Sequence, residues 1–121
     1  MPMRLKQTGG GSRRENDPTV LILTSLASGP KHGYALLLDI EEFAGVRLGP
    51  GTLYGAIARL EGRGLIEALD ARGRTRPYRL TAEGSTVLET ALAELRSIVE
   101  AGTARLRGQA RPGVTSSWGL A

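Results

Sequence analysis

The stretch GPGTLYGAIARLEGRGLI, Gly49 to Ile66, decides how this 121-residue chain folds. Pro50 behind a capping Gly49 is a helix start, because proline's missing amide is not needed in the first turn. At 100° per residue Leu53, Ile57 and Leu60 share one side of that helix. Gly51, Gly55, Ala58 and Gly62 share the opposite side, which is almost free of side chains. Thr52, Arg59 and Arg63 flank the bare side on one edge, Tyr54 and Glu61 on the other. Gly62 and Gly64 close the helix, and Leu65 to Leu69 alternate as a strand does. One face is made for a core. The other can approach something closely, with cations at its edge. A nucleic-acid groove fits that description. Tight packing against another helix fits it too, since a mid-helix glycine such as Gly55 costs about 1 kcal/mol relative to alanine and calls for some compensation.

The chain on either side completes a recognisable order. Asp17-Pro18 opens a helix through Ala27 that is apolar on most sides and stops at Ser28-Gly29-Pro30. A second helix is predicted from Gly33 to Phe43, with Tyr34, Leu37, Ile40 or Glu41, and Phe43 toward one side and Gly45 ending it. After the decisive stretch, Asp70 to Pro77 is a turn-rich basic loop and Tyr78-Arg79-Leu80 a short return strand. Thr81 caps a long helix with Glu83 in its first turn, and Gly108 is the predicted end. Leu88, Leu92, Leu95 and Val99 recur in it at spacings of four, three and four, an apolar seam of about two heptads. The fold class is therefore mainly α with a small β-hairpin. A winged helix-turn-helix domain is expected over residues 17–81 and a C-terminal dimerisation helix over 82–107. Residues 1–16 are expected to be a disordered basic arm, either a solubilising tail or a DNA-following arm, and 108–121 a flexible tail carrying Trp118.

Charge distribution agrees with this reading. The formal net charge is +4, and the basic residues are fourteen Arg and two Lys. Residues 1–16 net +3, residues 17–46 net −3, residues 47–80 net +4, and the remainder balances. The positive centre coincides with the bare-faced helix and the hairpin. Arginine's planar fork suits phosphate and guanine edges, although abundant arginine also reflects genome composition. Arg72, Arg74 and Arg76 alternate along the hairpin loop, so one side of a wing is cationic, unless the loop is merely a solvated surface.

Several chemistries are excluded or unsupported. The chain has no cysteine, so disulfides and thiolate metal sites are out, and its single His32 at a helix start suits a cap or a packing role. No apolar run reaches the roughly twenty residues of a membrane span, and Met1-Pro2-Met3-Arg4 is not followed by a signal core, so a cytoplasmic protein is expected. The Gly49-x-Gly51-x-x-x-Gly55 spacing misses the dinucleotide fingerprint, and no Lys-Ser/Thr pair makes it a P-loop. Without paired carboxylates or a nucleophile with its base, the chain is not read as an enzyme, and no cofactor or metal is expected.

Four short motifs, in this order and spacing, resemble the PadR family of bacterial transcriptional regulators: Gly29-Pro30-Lys31-His32-Gly33-Tyr34, Pro50-Gly51-Thr52-Leu53-Tyr54, Leu60-Glu61-Gly62-Arg63-Gly64-Leu65-Ile66, and Arg76-Pro77-Tyr78-Arg79-Leu80-Thr81-Ala82-Glu83-Gly84. The resemblance covers about residues 17–107. It implies a homodimeric winged-helix repressor on a palindromic operator in double-stranded DNA, released by a small molecule or another signal. It places recognition at Thr52, Tyr54 and Arg59, the wing at Arg72, Arg74 and Arg76, and the dimer helix at Leu88 to Val99 with help from the first helix. The single C-terminal helix resembles the family's shorter branch. Two positions depart: the family often has Pro where this chain has Gly55, and Ser where it has Gly49. Some relatives hold flat drugs between aromatic side chains at the dimer centre, and this seam has no aromatic residue.

The expected DNA-binding set is therefore Gly51, Thr52, Tyr54, Gly55, Arg59, Arg63, Arg72, Arg74 and Arg76. The expected dimerisation set is Leu88, Leu92, Leu95 and Val99. A winged-helix protein-interaction module without sequence-specific DNA binding is the alternative.

Overall fold

The computed structural model describes residues 17–71 and 73–110. The N-terminal arm, Arg72 and the tail with Trp118 lie outside the described residues. Four helices and one hairpin follow in order: α1 Thr19–Ala27, α2 Gly33–Ala44, α3 Pro50–Gly62, β1 Ile66–Ala68, β2 Tyr78–Leu80 and α4 Ala82–Ala110. The fold is mainly helical with a two-stranded antiparallel hairpin, as the sequence reading expects.

Local chemistry explains most boundaries. Asp17 Oδ1 accepts from the Thr19 amide at 3.0 Å and from its hydroxyl at 2.8 Å, while Pro18 stands at the cap, one position earlier than expected. His32 caps α2, its Nδ1 accepting from the Ala35 amide at 3.4 Å, so the lone histidine has a structural task. Gly45 ends α2 in the left-handed region, at φ 69°. The end of α3 is a Schellman motif: Gly64 stands at φ 77°, its amide donates to Glu61 O, and Leu65 N donates to Leu60 O, both at 3.0 Å. That turn aims the chain directly into β1.

The hairpin pairs Ile66 with Leu80, Glu67 with Arg79 and Ala68 with Tyr78. Tyr78 is also bridged on its other side. Lys31 N donates to Tyr78 O at 3.1 Å, and Tyr78 N donates to Lys31 O at 2.9 Å. A two-stranded hairpin is marginal by itself. This extra bridge and the helices beneath it hold it in place.

The core of the first compact unit, which ends at Leu88, joins every element before that point. Ile22, Leu23 and Leu26 come from α1, Leu36 and Ile40 from α2, and Leu53, Ala56, Ile57 and Leu60 from α3. Leu65, Ile66 and Leu88 complete it. Each Leu or Ile among them contributes about 1.5–3 kcal/mol on full burial. The expected side of α2 is corrected in part: Ile40 is buried and Leu37 packs against the core, as expected, but Leu36 joins them while Tyr34 and Phe43 are exposed. The apolar residues of α2 admit two stripes, and the structure buries the compact aliphatic one, with bare Gly33 buried at its start.

A polar network borders this core. The Ser25 hydroxyl is buried and donates to Asp39 Oδ2 at 2.6 Å. Lys31 Nζ donates to Ser25 O at 2.5 Å and to Ser28 Oγ at 2.7 Å, and sits 4.0 Å from Asp39. It pins the α1–α2 turn, and hence the Lys31 bridge to the hairpin.

Thr81 links α3 to α4. Its hydroxyl donates to Gly64 O at 2.7 Å and accepts from the Gly84 amide at 3.0 Å, the expected cap. Gly84 lies so close to the Leu65 carbonyl that a Cβ would collide with it and with Leu80. The helix runs past Gly108 to Ala110, because a glycine near a helix end costs too little to stop it. The second compact unit begins at Glu89.

Candidate nucleic-acid interface

The helix α3 presents the two faces that its sequence specifies. Leu53, Ala56, Ile57 and Leu60 are buried in the core. Gly51, Thr52, Gly55, Ala58 and Gly62 are all exposed. Side chains built at Gly51 and Gly62 would meet nothing within 4 Å. A side chain at Gly55 would meet only the Arg59 guanidinium, at 3.9 Å. Within the described chain, then, Gly55 is not compensated by packing against another helix. The small residues form an open surface along which Arg59 folds back. Gly49 caps through its backbone alone, with Leu53 N donating to Gly49 O at 3.0 Å.

Electrostatics separate two kinds of arginine. Among the described residues the ion pairs are Lys31–Asp39, Arg47–Glu41 at 2.9 Å and Arg79–Glu67 at 2.5 Å. Arg79 is thus occupied across the hairpin. Arg59, Arg63, Arg74 and Arg76 enter none of these pairs and are exposed. Cations without an internal counter-charge are the ones available to an external anion.

Tyr54 does more than flank the bare face. Its hydroxyl end lies over Gly33, in the space a side chain there would need. The phenol spans from α3 to the start of α2 and forms a wall of a cleft of about 420 Å³. His32, Gly33 and Tyr34 line it from α2, Arg74, Thr75 and Arg76 from the loop, and Tyr78 from β2. Burial pushes the Tyr78 phenol above its ordinary value; Glu61 and Tyr54 add to the shift and Arg76 opposes it. That phenol therefore remains a neutral donor at any ordinary pH. Sequence reasoning missed Tyr34 and Tyr78 as partners of Tyr54. The available signal was Gly33, a glycine in the first turn of a helix, which marks close approach by something. Lys31's bridge to Tyr78 had no signal in periodicity or composition.

The seam on α4 divides. Leu88 is only 6% exposed and belongs to the core already described. Leu92, Leu95, Ile98 and Val99 are exposed, at 41% or more, in the unit beginning at Glu89. Among the described residues no helix is long and apolar enough to cross a membrane, and no cluster of His, Asp and Glu could hold a metal ion.

Comparison with known proteins gives one answer. The model of the transcriptional regulator PadR-like family matches residues 22–90. The chain is similar to the crystal structure of a PadR family transcription regulator from Clostridium difficile, at 28% identity and a TM-score of 0.66, over 73% of this chain and 96% of that one. It is similar to a PadR family transcriptional regulator from Eggerthella lenta, at 30% identity and a TM-score of 0.65, over 78% and 86%. A transcriptional regulator from Clostridium thermocellum gives 25% identity and a TM-score of 0.67, over 77% and 96%. In sequence, 76 residues are 53% identical to an uncharacterized 37.1 kDa protein in transposon TN4556 of Streptomyces fradiae. That match covers 63% of this chain and 22% of the relative, so the chain spans less than a quarter of that protein's length. The chain belongs to the PadR-like family of transcriptional regulators.

Proposed function

We propose that the protein is a sequence-specific DNA-binding regulator that works as a homodimeric repressor on a palindromic operator. The observation that carries this reading is the exposed, unobstructed small-residue face of α3 beside four arginines with no internal counter-charge. A major groove admits an α-helix, and the closer the backbone approaches, the better Thr52 and Arg59 reach base edges. The wing arginines Arg72, Arg74 and Arg76 neutralise backbone phosphates, which supplies affinity without sequence information. Arg63 extends the cationic edge of α3.

The apolar stripe Leu92, Leu95 and Val99 is where a second copy of the chain docks. The pattern is that of a coiled-coil seam, and Leu88 anchors the same helix in its own core. Two-fold symmetry then sets recognition helices about 34 Å apart, one DNA turn. A small-molecule or other signal releases the operator. With no aromatic in the seam, a sandwich of aromatic rings around a flat effector has no support here.

Selection of bound duplexes from a random pool tests the reading. Enrichment of an inverted repeat with half-sites about one turn apart is expected. Recovery of no preferred sequence leaves a winged-helix interaction module instead.

A further inference from the structure

All three tyrosines of the chain line the cleft between α2, α3 and the wing loop, together with Arg74 and Arg76. The polar groups that face it are mostly donors: phenol hydroxyls and guanidinium groups. Among the described residues no carboxylate lines it. Tyr34 is 63% exposed and Tyr54 49% exposed. Among the described residues neither hydroxyl, nor the Arg74 or Arg76 guanidinium, makes an internal hydrogen bond or ion pair. Beneath the Tyr54 hydroxyl lies the buried backbone of Gly33, in the first turn of α2, whose positive dipole end adds to the attraction for an anion. Glu61, close enough to act on Tyr78, opposes that attraction, but its carboxylate is not part of the lining.

We propose that this cleft clamps one phosphodiester of the DNA backbone, with Tyr34 and Tyr54 donating hydrogen bonds and Arg74 and Arg76 supplying charge. The inference rests on the DNA-binding reading above and deepens it. It assigns Tyr54 to the backbone and leaves base reading on α3 to Thr52 and Arg59. The reason is geometric. Tyr54's hydroxyl is drawn over Gly33 toward the wing, away from the bare strip of Gly51, Gly55 and Ala58. A clamp bridging α3 and the wing fixes the depth and tilt at which α3 enters a groove, since phosphate contacts set register and base contacts set sequence.

The test uses Tyr34→Phe, Tyr54→Phe and the double variant in the full chain. Phenylalanine keeps the ring and removes only the hydroxyl, so folding is preserved and is checked by circular dichroism. Binding is measured by fluorescence anisotropy on two duplexes of equal length, one selected from a random pool and one scrambled. Removing each hydroxyl should weaken binding about three- to tenfold. The effect should be equal on the two duplexes, with the salt slope unchanged because no charge is removed. Unchanged affinity on both duplexes overturns the clamp. A weakening confined to the selected duplex also overturns it, by making the hydroxyls base readers. A wild-type protein that binds neither duplex overturns the regulator reading itself, and the clamp with it. Binding by the wild type with no effect of either variant removes the clamp alone.

Discussion

Two glycines in helical positions have opposite reasons for being there, and substitution separates them. Gly55 faces open space and Arg59, so Gly55→Ala should raise stability by about 0.5–1 kcal/mol through helix propensity alone. If the bare face enters a groove, the same variant should weaken DNA binding. Thermal denaturation and anisotropy on one sample measure both, and a gain in stability with undiminished affinity would remove close approach as the reason for Gly55. Gly84 is the contrary case. A Cβ there would collide with the Leu65 carbonyl, backbone that is held by the α3 cap and by Thr81 N, which donates to Leu65 O at 3.1 Å. Gly84→Ala should cost roughly 1–3 kcal/mol from overpacking, read as a lower denaturation midpoint. The sequence marks both positions only as glycines in a helical pattern. Which one faces solvent and which faces a carbonyl depends on how distant parts of the chain come together, so it cannot be read locally.

Elements are more legible than their rotations. Caps at His32, Gly49 and Thr81 and stops at Gly45 and Gly64 are local chemistry, and they place the helices within a residue or two. The rotation of α2 is legible only in part: Ile40 lies in the core and Leu37 packs against it, as expected, but Leu36 is buried in place of the expected Tyr34 and Phe43, because the apolar residues form two stripes and burial is decided by what α1 and α3 offer. The wing's attachment is invisible in sequence, because a single-residue bridge at Lys31 leaves no pattern. On α4 the seam reads as one unit in sequence, yet Leu88 belongs to the domain core and only Leu92 onward is exposed. That division makes Leu92→Asp a clean test. It should leave the fold of the first unit intact by circular dichroism and give a monomer by light scattering. A dimer of unchanged stability would place the interface elsewhere.

At the scale of the whole molecule, charge and shape point to the same surface. Residues 47–80 carry a net charge of +4, and the described arginines there that enter no ion pair lie on α3, at its C-cap and on the wing. The family's general picture is legible from four short motifs, but the residue-level role of Tyr54 is not, since it depends on how α2, α3 and the wing meet. A surface that binds DNA through phosphates at the wing reveals itself in the salt dependence of affinity. The direct measurement is the salt dependence of DNA affinity for the wild type and for the triple variant Arg72→Ala, Arg74→Ala, Arg76→Ala. Each phosphate that the variant no longer neutralises should flatten the slope of log affinity against log salt by about 0.9, with weaker binding at low salt. Equal affinity and an equal slope in the two proteins would contradict the account.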